Sequence, residues 1–524
     1  MSLMLRYLKR LRIGVSVVFF GLIALVFLDF GNMIPTSFTR GLLYPQFIPS
    51  LLQFLHGAAF GAAGCLVVVM SAALFGRIYC STVCPLGTLQ DVIAFAARRR
   101  RKRPGFRFAR PDRWLRYCIA TAAILLLMAG SGLLLNLLDP FSACGRILVD
   151  LVRPAVVVIN NIAAAMLEQF GVYELSRKQW AVLTPVAVGV AAATLGFVGW
   201  LAATRGRLYC NTVCPVGTLL GLVARISWLR VGIDPNACTQ CKRCERVCKA
   251  GCIDLRNMAV DSSRCVGCCN CLAACPEGAV RFENGWRRVA AEQLDRGRRA
   301  FLVHSGVSLL GLAGLAETNA TVLQSKPTTV PEAVTGPVSP PGSVSIDRFT
   351  VVCTACHLCV SVCPSRVLSP SLLEFGPSGM LQPRLNFRAA HCNYECTLCS
   401  EVCPTGAILP LAKEEKKLTQ LGVARFIKAN CVVFTDSTNC GACSEHCPTK
   451  AVQMVPYPNP LNRKLVIPAV DPDYCIGCGA CEHACPTKPF KAICVDGNPV
   501  HKRARKPKPA TAETKIDATA DFPF

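Results

Sequence analysis

The chain has 524 residues, 52% of them hydrophobic, with a mean hydropathy of +0.39, too apolar for a purely soluble protein, so part of it is expected to lie in lipid. Its net charge of +25 could suit a nucleic-acid partner, yet the basic residues cluster beside apolar segments, with ten Lys or Arg from Arg98 to Arg116. That pattern marks membrane topology, and no nucleic-acid partner is expected. The 34 cysteines stand at tight, repeated spacings, unlike the scattered cysteines of a short secreted disulfide scaffold.

Five apolar stretches follow along the chain, at 13–30, 51–75, 117–138, 180–203 and 301–316. The first four approach or exceed the roughly 20 residues that span a bilayer, and the fifth is shorter. With MSLMLRYLKRLR inside, the first helix runs outward and the second returns, which leaves RRRRKRPGFRFARPDRWLR on the cytoplasmic side. Residues 139–178 hold another apolar patch, but Asp150, Arg153 and Pro154 interrupt it; the penalty for charge in mid-membrane makes it a helical cap outside the bilayer. Within this part RIYCSTVCPLGTL at 77–89 recurs as RLYCNTVCPVGTL at 207–219, each after an inbound helix, so two related helix pairs are expected.

The strongest chemical signal is CVGCCNCLAACP, in which Cys265, Cys268, Cys271 and Cys275 form the C-x2-C-x2-C-x3-C-P run of bacterial ferredoxins. Its neighbour supplies Cys238, Cys241, Cys244 and Cys248. Two-residue gaps let three thiolates of one tight loop reach one [4Fe–4S] cubane, while the fourth points to the neighbouring one. Cys275 is therefore assigned to the first cluster and Cys248 to the second, with Lys249 standing where the run expects proline.

Residues 317–347, rich in Pro, Ser, Thr and Val, are expected to be a flexible linker. Four more runs follow it: Cys353, Cys356, Cys359 and Cys363; Cys392, Cys396, Cys399 and Cys403; Cys431, Cys440, Cys443 and Cys447; Cys475, Cys478, Cys481 and Cys485. All end in C-x2-C-x3-C-P, which structural zinc does not call for, so these 24 cysteines are expected to ligate six [4Fe–4S] clusters. Spacing leaves open how the last four runs pair. Cys353, Cys356 and His357 also spell the C-x-x-C-H of c-type haem, but that reading strands Cys359 and Cys363. Only His56 and His304 among seven histidines lie in apolar stretches, so paired axial ligands for a membrane haem are lacking.

Ten cysteines remain. Cys80, Cys84, Cys210 and Cys214, in the two C-x3-C-P repeats, place thiols at i and i+4 on one helical face and come to the same membrane boundary. They are candidate catalytic residues, as a further metal centre or as a redox-active thiol set. Cys65, Cys118, Cys144, Cys252, Cys269 and Cys494 are expected to be small buried residues. Arg298 and Arg299 precede Phe301 and a Gly-rich apolar run, the pattern of a twin-arginine export signal.

The paired YC-x-TVCP-x-GTL repeats followed by a ferredoxin pair resemble the NapH-type membrane ferredoxins, with their NosR-like and MauN-like relatives. The twin-arginine segment and four following runs resemble the NapG and MauM type of periplasmic ferredoxin. The resemblance covers residues 1–285 and 290–495 and describes a natural fusion of the two. It implies the electron-transfer part of a quinol dehydrogenase, with membrane quinone or quinol and a periplasmic reductase or cytochrome as partners. A maturation protein that reduces metals or thiols for a partner enzyme is the alternative, and a membrane redox sensor a third, though no effector region is visible. No P-loop, G-x-G-x-x-G or G-x-S-x-G run competes.

The expected fold is mixed: an α-helical bundle of about five transmembrane helices joined to α+β bacterial ferredoxin-like domains. Its parts are a four-helix membrane domain (1–230), a cytoplasmic ferredoxin domain (231–285), the export-type segment with the fifth helix (290–316), the linker, a periplasmic ferredoxin domain (348–498) and a disordered tail (499–524). The expected location is the bacterial cytoplasmic (inner) membrane.

Overall fold

The computed structural model describes residues 2–56, 63–101, 106–108, 112–178, 184–286, 336–457 and 465–506. The fifth apolar stretch and the twin arginines lie outside the described residues.

The N-terminal apolar run, free of proline, forms one helix, Ser2–Leu28. It ends where the Asp29 carboxylate accepts from the backbone N–H groups of Gly31 at 3.0 Å and Ile34 at 2.9 Å, a turn that competes with further helix. Among the described residues three helices are long and apolar enough to cross a membrane: Tyr7–Leu28, Pro140–Gln169 and Pro185–Arg205. Two of the expected spans divide instead. The stretch 51–75 falls across Phe47–Leu55 and Gly64–Phe75, and 117–138 across Arg113–Met128 and Leu133–Leu138.

The expectation that Asp150, Arg153 and Pro154 interrupt 139–178 is corrected: Pro140–Gln169 is one continuous helical run. Its residues Ile147–Val152 wind as π-helix, and Pro154 enters in the first turn of Arg153–Gln169, where a missing N–H costs least. Asp150 and Arg153 bond to residues beyond 350, as described below.

The internal repeat extends past its motif. In each half a pair of short helices meets near a proline: Thr36–Leu43 with Phe47–Leu55 around Pro45, and Leu133–Leu138 with Pro140–Arg146 at Pro140. Asp139 caps the latter by accepting from the Ser142 N–H at 2.8 Å. The motif tyrosines reach these two breaks. Tyr79 Oη donates to Gln46 Oε1 at 3.2 Å, and Tyr209 Oη to the Leu138 carbonyl at 3.0 Å. The helices Gly64–Phe75 and Pro185–Arg205 then end on Gly76 and Gly206 at φ 74° and 68°, the left-handed stop that glycine accepts. At Gly206 a Cβ would lie 2.4 Å from the Lys249 carbonyl.

Residues 229–284 pair Leu229–Ile233 antiparallel with Val280–Asn284, and Ile253–Asp254 with Ala259–Val260. Beyond 336, three further two-stranded sheets form: Leu368–Pro370 with Pro383–Leu385, Thr419–Phe426 with Ile493–Arg503, and Val452–Pro456 with Val466–Val470. Two expectations change here. The strand Ile493–Arg503 takes in the first residues of the expected tail. The last part of the expected linker packs on that strand: Gly336 N–H donates to Asp496 at 2.7 Å, Ser339 Oγ lies 2.9 Å from His501 Nε2, and Val338 is buried.

The two cysteine-rich parts meet opposite ends of the helix Ser2–Leu28. Toward its start, Arg12 bonds to the Ser81 carbonyl at 3.0 Å, and the helix packs on Asn270–Ala274. At its end, Phe27 lies against Phe141 with ring centroids 5.8 Å apart, and Asn32 donates to the Val362 carbonyl at 3.3 Å. From Arg12 to Phe27 the helix rises about 22 Å.

Candidate functional site

Each of the four compact cysteine runs places left-handed residues on both sides of its second cysteine. These are Gln240 and Lys242 (φ 52° and 59°), Gly267 and Cys269 (63° and 57°), Ala355 and His357 (51° and 64°), and Gly477 and Gly479 (70° and 77°). That double reversal curls the chain around a common centre, and a short helix then carries the third cysteine. Thr397 and Gly441, at the corresponding place in the two runs with longer first gaps, have φ of −119° and −120°; the added residues supply the slack.

The fourth cysteine of each run crosses to its neighbour. Cys275 lines one hollow with Cys238, Cys241 and Cys244. Cys363 does so with Cys392, Cys396 and Cys399, and Cys485 with Cys431, Cys440 and Cys443. In return, Cys248 stands among Cys265, Cys268 and Cys271, Cys403 beside Cys353, Cys356 and Cys359, and Cys447 beside Cys475, Cys478 and Cys481. Runs past the linker thus pair as neighbours, first with second and third with fourth. All these thiols are free. Among the described residues no three His, Cys, Asp or Glu side chains close in on a single ion. Sets of four thiols around a hollow suit the larger body of a cubane.

In the last four runs a hydroxyl two residues past the fourth cysteine approaches its sulfur: Ser365 at 3.6 Å from Cys363, Thr405 at 3.6 Å from Cys403, Thr449 at 3.7 Å from Cys447 and Thr487 at 3.1 Å from Cys485. The first two runs have Ala250 and Glu277 at that place. The signal, C-P-[ST] against C-K-A and C-P-E, is present in the sequence but escapes a reading centred on ligands.

His357 is not available to a haem. Its Nδ1 lies 3.0 Å from Asp150 Oδ2 and its Nε2 2.9 Å from the Leu381 carbonyl. Arg153 Nη1 donates to the Ser361 carbonyl, and Arg146 to that of Ala355 at 3.2 Å. A Cβ on Gly145 would stand 2.5 Å from the Cys356 carbonyl, so this cysteine loop rests directly on the helix Pro140–Arg146.

The C-x3-C-P motifs do not form the regular α-helical face that i and i+4 spacing implies. Cys84 N–H bonds to the Tyr79 carbonyl and Cys214 N–H to that of Tyr209, each at 3.0 Å, one wide π-type turn per motif. The four thiols do come together: Cys84 has the thiols of Cys210, Cys80 and Cys214 as neighbours. All four are buried, and burial foremost, with the adjacent thiols, pushes Cys84 and Cys214 well above the ordinary thiol range.

Two buried arginines that sequence reasoning missed cross between the motifs. Arg77 Nη2 donates to the Cys210 carbonyl at 2.8 Å, and Arg207 Nη1 to that of Cys80 at 2.8 Å. Each also faces the thiol of its own motif, at 3.8 Å for Cys80 and 3.9 Å for Cys210. Gln90 Nε2 lies 3.3 Å from Cys210 Sγ. Asp91 takes Arg207 at 2.9 Å, Lys249 at 3.0 Å and Arg12 at 3.7 Å. Burial opposes its charge, but Arg207 and Lys249 override that and hold its carboxyl well below the usual carboxylate range. This ion pair accounts for Lys249 in the place of proline: it fastens the first ferredoxin run to the helices. Of the six leftover cysteines, Cys144 and Cys65 lie in the helical core, while Cys252 stands 3.6 Å from Cys248.

Sets of four thiols on curled loops, attached to a helical part with three membrane-length apolar helices among the described residues, define a membrane-associated ferredoxin-type iron–sulfur protein. The comparisons with known proteins agree. A family model described as a 4Fe-4S binding domain matches residues 57–104 and 186–234, and one described as a 4Fe-4S dicluster domain matches 352–407 and 438–488. The chain is similar to the methylamine utilization ferredoxin-type protein MauM of Methylobacillus flagellatus, 29% identical over 37% of this chain and 82% of that protein. MauM of Methylophilus methylotrophus is 32% identical over 26% of this chain and 61% of its own length. The ferredoxin-type protein NapH of Haemophilus influenzae is 27% identical over 36% and 52%. No solved structure matches. The chain is a ferredoxin-type iron–sulfur electron-transfer protein related to both.

Proposed function

We propose that the chain carries electrons from the membrane quinol pool to an extracytoplasmic reductase or cytochrome, as the electron-transfer component of a quinol dehydrogenase. Six [4Fe–4S] clusters, on the six sets of four cysteines described above, would supply the one-electron chemistry. The observation that carries this reading is the placement of the two cysteine-rich parts at opposite ends of the helix Ser2–Leu28. Joined to the positive-inside pattern at Arg98 to Arg116, it supports a reading with the sets from Cys238 to Cys275 on the cytoplasmic side and those from Cys353 to Cys485 on the periplasmic side.

The chain's own contribution is placement and insulation. The curled loops gather the thiols, burying many of them, and Arg146, Arg153 and Asp150 hold the loop of Cys353, Cys356 and Cys359 against the helices. The test is spectroscopically monitored reduction of the purified full-length protein by a quinol analogue, alongside iron analysis. Six cubanes predict about 24 iron atoms per chain from these sets. About eight, with zinc making up the balance, would remove the periplasmic clusters; full iron without quinol-driven reduction would remove the quinol donor.

A further inference from the structure

We propose that Cys80, Cys84, Cys210 and Cys214 jointly hold one further iron–sulfur cluster, shared between the two repeats. The proposal rests on the reading of the chain as an electron carrier. It goes beyond the matched domain descriptions, because neither matched segment can complete a cluster by itself. Each brings two motif cysteines, and Cys65, the additional cysteine of the first, begins the helix Gly64–Phe75, at the opposite end from the motif. Four thiolates become available only where the repeats meet.

The structure builds that meeting point. Arg77 and Arg207 exchange carbonyls across it, each at 2.8 Å, and both are buried, with 0% and 1% of their surface exposed. Glycines in the motifs give them passage: a Cβ on Gly87 would lie 2.5 Å from Arg207 Nη1, and one on Gly217 2.7 Å from Arg77 Nη2. Neither is replaceable by alanine without moving an arginine.

Charge is the second, independent observation. Arg77 bonds to Asn211 Oδ1 at 2.7 Å and to the carbonyls of Ser263 and Cys210, with no carboxylate partner among the described residues. Arg12, Arg207 and Lys249 share the single carboxylate of Asp91. Buried N–H groups without partners remain on Arg77 Nε, Arg207 Nη2 and Arg12 Nε. Neutral packed thiols would leave this surplus of buried cations only the neighbouring set around Cys265, which Arg77 also faces, as a further anion, and an uncompensated buried charge is costly. Four thiolates around an iron–sulfur core carry a net negative charge and supply the missing anion, and metal binding is what deprotonates buried thiols.

Position agrees with the chemistry. Arg77 joins the site to the Ser263 carbonyl, two residues before Cys265. On the other side Tyr209 reaches Leu138, and Arg146 bonds to both Leu137 and Ala355, next to Cys356. The site therefore lies between the nearest ferredoxin set of each part.

The experiment uses the full-length protein with Cys84→Ser, Cys214→Ser and the double change. It measures iron, acid-labile sulfide and the electron paramagnetic resonance (EPR) spectrum of the dithionite-reduced form. A shared cluster requires that either single change remove the same signal, with the same loss of iron and sulfide, and that the double change remove no more. Additive losses from the two single changes, or none, overturn it. Arg77→Gln, which leaves every thiol in place, is expected to shift the midpoint potential of that signal; an unmoved potential overturns the role given to the arginines. Quinol-driven reduction is read separately, so failure of the quinol reading leaves the cluster count intact.

Discussion

His357 Nδ1 lies 3.0 Å from the carboxylate of Asp150, 207 residues earlier in the chain, and both groups are buried. Carbonyl and carboxylate acceptors stand on the two sides of the ring, so each ring nitrogen is placed to donate. Removing one partner of such a buried pair leaves the other unsatisfied, at a cost of about 3 kcal/mol. Asp150→Ala is therefore expected to loosen the loop of Cys353, Cys356 and Cys359 from the helices, seen as faster hydrogen exchange at 353–363. In a double-mutant cycle with His357→Gln the two losses should be strongly non-additive. Simple additivity would mean that the two residues do not act as a pair.

The same pair explains what sequence can and cannot supply. Ligand spacing is local, so the cysteine runs, and the crossing of Cys248 and Cys275, are legible in a few residues. Asp150 and Arg153 argue against a continuous membrane-length helix only while their partners, His357 and Ser361, are unknown, and no local pattern names a partner more than 200 residues away. The pairing of the last four runs depends likewise on contacts between separate loops. Arg77 and Arg207 stand openly in the repeat, but an arginine beside an apolar helix already has a topological meaning, which hides its inward role.

The hydroxyls near the fourth cysteines bear on redox potential. A hydrogen bond to a cluster sulfur stabilises the more negative, reduced state and raises the potential. Thr487→Val removes the closest, 3.1 Å from Cys485. If the bond favours the reduced state by about 1 kcal/mol, the potential should fall by roughly 40 mV for one electron. An EPR-monitored redox titration checks this. An unchanged set of potentials would reduce the hydroxyls to packing.

His501 predicts a pH dependence in the segment that joins residue 336 to the last strand. Burial lowers its pKa to about 4, so the folded protein favours the neutral ring. The stability this gives is complete above the unfolded value of about 6.5 and is lost as pH falls from there toward 4. Hydrogen exchange at residues 336–345 should quicken across that window, through loss of the contacts to Ser339 and Ser343 at 2.9 and 3.4 Å. His501→Gln should flatten the profile; a profile that keeps its slope would assign the titration to another group.

Sidedness decides whether the chain bridges two compartments or serves one. The sets from Cys238 to Cys275 are expected inside and those from Cys353 to Cys485 outside. The two parts pack on opposite ends of a helix segment that rises about 22 Å from Arg12 to Phe27. The cationic run from Arg98 to Arg116 is expected to face the cytoplasm by the positive-inside rule. One more crossing is needed between Trp286 and Gly336, and the stretch 301–316 after Arg298 and Arg299 is the candidate. It is short for an ordinary span but normal for a twin-arginine signal. Replacing both arginines with lysine keeps the charge and destroys the signal. Export by that route then fails and traps the part beyond Arg348 in the cytoplasm, whereas a plain positive-inside anchor would hardly register the change. Protease access from the periplasmic face, in cells expressing each version, separates the two. Protection of that part in the unaltered protein would put all six cysteine sets on one side and end the quinol-to-periplasm reading.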